Sequence, residues 1–456
     1  MKKIFFITFL LIYISSFSQS IIGKWEGILN VQTIQLKLIF NINNTDKGLV
    51  STMDSPDQGA KGIPVTAVDF ENNILKLKID NANIAYEGAL KTKDTIIGNF
   101  VQSGQSFPLI LIKKGENTTE IPRYQEPLKP YPYHSENIFF DNKKDSIRLA
   151  GTLTLPSKKG KFPVVILITG SGPQNRNGEL FNHKSFLVLS DYLTKNGIAV
   201  LRFDDRGIGK STGIFSNATT KDFATDVESA IQYLKKRKEI KKKKIGLIGH
   251  SEGGVIASIV ANSSDDVDFI VLLASPGLRG DKLMLLQKKK IENQSGVSEL
   301  EISKGQKIFS DIYELILNSE NSNEKLRDDI NNILTLKYDS QLTVNQIKNL
   351  SNQLTSPWMY YFLKFDIKTS LMNVKCPVLA LIGEKDLQVP SKENLKAIKN
   401  ALIKGSNDNG TIKELPNLNH LFQECDTGLP NEYAKIEQTF SPIALNEITN
   451  WLLKQL

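Results

Sequence analysis

The chain runs to 456 residues with a formal net charge of +8, four histidines and two cysteines, and that length exceeds one comfortable core, so more than one domain is expected. The positive excess is local, in Lys235-Lys236-Arg237-Lys238 and Lys241-Lys242-Lys243-Lys244 around one short loop. This reads as a solvated helix end; no recognition module accompanies it, which argues against nucleic-acid binding, and scattered histidines without a recurring Cys/His spacing argue against a metal or cofactor site.

In chain order, Lys2 and Lys3 precede the apolar stretch Ile4 to Ile14, followed by Ser16-Phe17-Ser18. This predicts a secretory signal peptide over residues 1–18 and a periplasmic or secreted mature protein. The run is too short to span a bilayer and no later segment approaches that length, so no stable membrane anchor is expected. Residues 21–115 read as short alternating strands, among them Thr33 to Phe40 and Asn73 to Ile79, punctuated by Asn43-Asn44, Asp46-Lys47-Gly48, Glu71-Asn72-Asn73 and Gly104. That spacing predicts a small antiparallel barrel or sandwich. Gly23-Lys24-Trp25-Glu26-Gly27 gives it a lipocalin-like look. A semi-rigid linker is expected over 116–135, where Pro122, Pro127, Pro130 and Pro132 fall in a stretch without strand pattern.

A second domain, 136–456, opens with two expected antiparallel strands, around Ile138-Phe139-Phe140 and Ile147 to Leu155. Strands and helices then alternate, with strands at Pro163 to Ile168, Ile198 to Phe203, Ile245 to Ile248, Phe269 to Leu273, Val378 to Ile382 and Thr411 to Leu415. Between about 280 and 370 the alternation stops and the pattern turns charged and helical. Gly249-His250-Ser251-Glu252-Gly253 sits where a strand becomes a helix, the arrangement of a nucleophile elbow. Asp386 follows the strand Val378 to Ile382, with Glu384 two residues earlier as its competitor, and His420 lies in a later loop. The order Ser251, Asp386, His420 suits a nucleophile, an orienting acid and a general base.

The chain resembles the α/β-hydrolase superfamily, specifically its serine-aminopeptidase-like carboxylesterase branch. The resemblance rests on the elbow and on Gly170-Ser171-Gly172-Pro173-Gln174-Asn175-Arg176. It is carried further by Asp204-Asp205-Arg206-Gly207-Ile208-Gly209-Lys210-Ser211, by Cys376-Pro377 with Gly383 to Asp386, and by Leu418-Asn419-His420. It spans about residues 136–456 and implies an α/β-hydrolase fold with residues 280–370 as a helical cap, preceded here by the all-β domain.

The chemistry that follows is acyl transfer to Ser251, with His420 as base and Asp386 holding its tautomer. The oxyanion would be met by the amides of Glu252 and Ser171, with Gly172 the alternative to Ser171. The carboxylate of Glu252 reads as a helix-N-terminal charge without catalytic role. Arg206 with Asp204 and Asp205 reads as a loop brace. Arg176, close to the oxyanion loop, and Trp358 and Tyr361, from an aromatic cluster, are candidate pocket residues; cap–core packing is the alternative for the cluster. The expected partner is a small-molecule or lipid-like ester. A serine aminopeptidase is the nearest rival. A lipid- or glycan-binding protein with a vestigial hydrolase half is the rival of another class. Whether Cys376 and Cys425 pair stays open, as does the oligomeric state.

Overall fold

The computed structural model describes residues 21–31, 34–46, 48–56, 60–102, 104–114, 121–320, 322, 324–338 and 342–456. The expected signal peptide lies outside them. The chain divides near residue 118 into two compact units, each with its own core.

The first unit is a single antiparallel sheet of nine strands: β1 (Gly23–Val31), β2 (Ile34–Thr45), β3 (Gly48–Ser55), β4 (Ala60–Pro64), β5 (Ala67–Glu71), β6 (Ile74–Ile79), β7 (Ile84–Thr92), β8 (Thr95–Gln102) and β9 (Gln105–Lys114). Their order is β4-β3-β2-β1-β9-β8-β7-β6-β5. The edge strands β4 and β5 are separated by two residues, and the Val65 N–H between them donates to Ser51 O of β3, so the sheet curls on itself. Period-two alternation puts one face inside: Leu75, Leu77 and Ile79 are buried while Lys76 and Lys78 are exposed. Trp25, from the segment Gly23 to Gly27, is fully buried and donates to Ile21 O at 2.8 Å.

The second unit is built on an eight-stranded mixed sheet: β10 (His134–Asn142), β11 (Ile147–Leu155), β12 (Phe162–Ile168), β15 (Ala199–Phe203), β16 (Ile240–His250), β17 (Phe269–Leu273), β18 (Val378–Gly383) and β19 (Gly410–Leu415); a two-stranded ribbon, β13 (Glu179–Leu180) and β14 (His183–Lys184), lies outside it. The sheet order is β10-β11-β15-β12-β16-β17-β18-β19, and every pairing from β15 to β19 is parallel. The central strands are unbroken apolar runs because helices cover both faces. α1 (Ser185–Lys195) and α11 (Pro442–Gln455) bury Leu189, Leu193, Ile448 and Leu452 on one face. α2 (Thr220–Lys235), α3 (Glu252–Ser263) and α10 (Ser391–Lys404) bury Val227, Ile231, Val260 and Ile398 on the other.

Between β17 and β18 the chain leaves the sheet for α4 (Gly280–Gln294), α5 (Glu299–Asn318), α6 (Glu324–Tyr338), α7 (Val344–Leu354), α8 (Pro357–Lys364) and α9 (Ile367–Leu371). α5 to α8 share a separate apolar cluster around Ile312, Ile330, Ile347 and Leu363. Helix starts here are encoded locally. Thr343 and Gln346 form a reciprocal capping box, and Ser356 accepts from Met359 N–H ahead of Pro357.

Two expectations need correction. The run Lys241 to Lys244 is no helix end but part of β16, where the register jumps from Phe162↔Ile240 to Val164↔Ile245, so Lys241, Lys242 and Lys243 bulge into solvent. The proline-rich segment expected as a semi-rigid linker is, from residue 121 on, docked as part of the second unit. Arg123 donates to Ala434 O at 2.7 Å, and Gln125 Oε1 accepts from the Thr439 and Phe440 amides at 2.6 and 3.0 Å, tying the segment to the C-terminal part of the second unit.

Candidate active site

Ser251 occupies the turn between β16 and α3 with φ 54° and ψ −121°, left-handed backbone that a non-glycine residue adopts only under constraint. The neighbours explain how it is held. A Cβ on Gly249 would lie 2.0 Å from Gly253 O, and one on Gly253 would lie 2.2 Å from Ile168 O. Only hydrogen fits at either place, so strand and helix close tightly and the Ser251 side chain stands at the sheet's carboxyl edge. The Ser251 N–H donates to Leu273 O at 2.8 Å, fixing the turn to β17.

The acid and the imidazole come from beyond the ends of β18 and β19. Asp386, after β18, is 2% exposed and both its oxygens are engaged. Oδ1 accepts from the Gln388 and Val389 amides, each at 2.8 Å; Oδ2 meets His420 Nδ1 at 2.8 Å. A carboxylate can only accept there, so Nδ1 carries the proton and Nε2 keeps its lone pair. Glu384 is exposed, and its carboxylate accepts from Asn417 N–H and not from His420. Asn419 Oδ1 accepts from the Leu421 and Gln423 amides and so shapes the turn that presents His420.

Ser251 and His420 border one cavity of ≈310 Å³, with Gly170, Ser171, Glu252 and Leu421 on its core side. Among the described residues, the His420 imidazole is bonded through Nδ1 to Asp386, and no hydrogen bond joins it to the Ser251 hydroxyl. The Glu252 amide opens α3 and has no partner within the helix. Ser171, in the loop after β12, lies on the same cavity.

From the helical insertion come Leu283, Met284, Gln287, Gln353, Trp358, Met359 and Phe362. Trp358 is therefore on the cavity, stacked on Phe362 at 5.2 Å. Tyr361 is not; it stacks on Phe365 at 5.4 Å, on another flank of α8. Arg176 is not on the cavity either. Its guanidinium is held by Asp204 at 2.9 and 2.5 Å and by Gly151 O at 2.6 Å. Arg206 is tied to Asp226 on α2 and to Asp145, each at 2.8 Å, and not to Asp204 or Asp205, the partners expected for it.

Glu252 stands in the first turn of α3, at the helix N-terminus where it was expected. Its carboxyl is buried, takes Trp358 Nε1 on both oxygens at 2.9 and 3.0 Å, and accepts from the Thr220 hydroxyl at 2.7 Å. Burial raises its pKa, against hydrogen bonds from Thr220, Trp358 and Ser171.

Sequence reasoning passed over His250. It donates from Nε2 to the His420 carbonyl at 2.8 Å, with the two imidazoles 4.8 Å apart. Burial, and then the charge of His420, lower its pKa to about 3, so it stays neutral beside an imidazole that must accept a proton. Its place next to the elbow serine was the available signal. The ribbon residues Leu180 and Phe181 also line the cavity, and nothing in their local pattern marked them. Cys376 and Cys425 are both free thiols.

A family model described as serine aminopeptidase, S33, matches residues 183–425. Among curated proteins, esterase EstD of Thermotoga maritima is 23% identical over 438 residues, covering 94% of this chain and 92% of that protein. Among solved structures, an esterase of Pyrococcus furiosus is similar at 17% identity and TM-score 0.43, covering 72% of this chain and 94% of its own. Est1E of Butyrivibrio proteoclasticus, solved with ferulic acid, is similar at 18% identity and TM-score 0.42, covering 70% and 98%.

Proposed function

The chain belongs to the serine aminopeptidase S33 family of hydrolases, and we propose that it is an exported carboxylesterase working through an acyl-enzyme on Ser251, His420 and Asp386. The observation that carries this reading is His420, held by Asp386 from behind, on the same cavity as the strained elbow serine. His420 Nε2 takes the proton as Ser251 Oγ attacks the ester carbonyl, and Asp386 stabilises the imidazolium through Nδ1–H. The amides of Ser171 and Glu252 face the charge that develops on the carbonyl oxygen. His420 then gives its proton to the departing alcohol, and a water deprotonated by the same nitrogen releases the acid. The helical insertion acts as a cap, its Trp358, Met359 and Phe362 supplying an apolar wall for the acyl group. The leader at residues 1–18 directs the chain out of the cytoplasm.

An ester rather than a peptide with a free N-terminus is favoured by the state of Glu252. An ammonium would need a carboxylate near Ser251 with room to receive it. Among the described residues lining the cavity the carboxylate is that of Glu252, which lies buried under the Trp358 indole and already accepts from Thr220. Parallel assays on p-nitrophenyl acyl esters and aminoacyl-anilides test this; strong preference for the anilides would overturn it. Covalent labelling by a fluorophosphonate, lost in Ser251→Ala, tests the nucleophile, and its absence in folded wild-type protein would return the binding-protein reading.

A further inference from the structure

Three aspartates below the sheet edge are held in different ways. Asp204 is paired with Arg176, and Asp226 with Arg206. Asp205, 7% exposed, has no cation within ion-pair distance among the described residues. A buried carboxyl without a cation is costly, so what it holds matters. Its Oδ1 accepts from the Thr169 hydroxyl at 2.7 Å and its Oδ2 from the Gln174 N–H at 2.8 Å, while its own N–H donates to Gln174 O at 3.2 Å. These bonds grip both ends of Gly170-Ser171-Gly172-Pro173, the segment that carries one proposed oxyanion donor. Gly172 sits at φ +87°, with open space around it, and the loop has no ladder of its own to stiffen it. Gln174 adds one internal tie, Nε2 to Ser171 O at 3.3 Å.

We propose that Asp205 is a positioning residue: by closing Thr169 and Gln174 onto one carboxyl, it holds the Ser171 amide where the tetrahedral intermediate's oxygen forms. The inference rests on the acyl-transfer reading of Ser251, though not on the choice of ester over amide. Preorganised donors act only if they need not move when charge appears, and a loop with two glycines requires an external clamp to achieve that. The clamp does not depend on charge. Burial, with Asp226 and Glu252 adding to it, raises the pKa of Asp205 to about 7. When protonated, it still offers one bare oxygen to the Gln174 N–H while the Thr169 hydroxyl turns to accept. An asparagine can do the same.

The test compares Asp205→Leu, Asp205→Asn and Thr169→Val in the full chain, on whichever acyl substrate the wild type turns over. The readouts are kcat, KM, the Kd of an alkyl boronic acid that adds to Ser251 as a tetrahedral adduct, and the melting temperature. Asp205→Leu is expected to lose about 100-fold in kcat, the scale of losing one oxyanion donor. KM should stay within about threefold and boronate affinity should fall in step with kcat, the signature of an interaction made only in the transition state. Asp205→Asn should keep kcat within about fivefold, and Thr169→Val should lose less than Asp205→Leu, in proportion to one contact. The proposal is overturned if Asp205→Leu keeps its kcat, or if KM rises while boronate affinity holds. It is equally overturned if Asp205→Asn falls as far as Asp205→Leu. Should Asp205→Leu fail to fold, an unchanged kcat and boronate Kd in Thr169→Val would overturn it. Failure of the ester reading shows separately, as a wild type that cleaves anilides instead.

Discussion

Two buried carboxyls in this molecule each meet a ring N–H, one at the sheet edge and one against the helical insertion, and they serve opposite ends. Asp386 holds His420 Nδ1 at 2.8 Å; Glu252 holds Trp358 Nε1 at 2.9 and 3.0 Å. The geometry is nearly the same, and the ring decides the outcome. An imidazole has a second nitrogen that can take a proton, so in the proposed mechanism Asp386 stabilises a charge that comes and goes. An indole has none, so Glu252 can only anchor. The backbone reinforces the contrast: two amides fix Asp386 from its own loop, whereas Glu252 draws its partners from α2 and α8. A carboxyl with a ring N–H is therefore a catalytic feature only when that ring is basic.

The largest effects should come from the sheet edge. Ser251→Ala is expected to lower kcat by about 10⁶-fold, the cost of removing a nucleophile that works as a unit with its base. Asp386→Asn should lower it by about 10⁴-fold, because an amide can donate to Nδ1 and favour the wrong tautomer. Both should melt close to the wild type, read by steady-state kinetics beside thermal unfolding. Asp386→Asn activity within tenfold of wild type would erase the distinction between the two carboxyls.

A smaller loss is expected on the other side. Trp358→Phe keeps an aromatic wall but removes the indole N–H, leaving Glu252 with fewer donors in a buried place. The cost should be about 1–3 kcal/mol of stability, the penalty for leaving a buried polar group without its partner. It is measurable as a lower urea midpoint, together with a relaxed preference among acyl-chain lengths. Fluorophosphonate labelling of Ser251 should survive. If labelling is lost while the protein stays folded, Glu252 is more than an anchor.

The same contrast explains what could be read from the residues alone. The elbow was legible because its constraint is local: glycines two residues either side of Ser251 leave room that no other residue allows. Asp386 and His420 were legible because parallel strands end on one edge, and chain order then suffices. The insertion side was not. Arg176 lies in the oxyanion loop by number, but its partner Asp204 is 28 residues away and turns it from the cavity. On α8 the pair Trp358 and Phe362, four apart, sets the cavity face, and Tyr361 falls on the flank nearer Phe365. Which flank of a short aromatic helix meets the core is decided by tertiary packing. The burial of Glu252 was not legible for the same reason, since its partners come from residues 220 and 358.

The smallest effect separates buried histidine from buried acid. His183 donates from Nε2 to Tyr433 O at 2.9 Å and shares a hydrogen bond between Nδ1 and Thr439 Oγ1 at 3.0 Å, and burial lowers its pKa to about 4. A histidine neutral in the fold and protonated in the unfolded chain contributes stability above pH 6.5, which is lost as pH falls towards 4. The loss approaches about 1.4 kcal/mol per pH unit for one group. Asp205, raised to about 7, pulls the other way over the same range, its contribution present at low pH and lost as pH rises through 7. Asp226 and Glu252 are raised as well, so the total slope mixes signs. The difference between wild type and His183→Gln isolates one term. Urea midpoints at pH 7, 6, 5 and 4 should show the wild-type advantage shrinking as the solution is acidified. Parallel curves would mean that His183 carries its proton in the folded protein, with Tyr433 O and Thr439 Oγ1 both accepting from it.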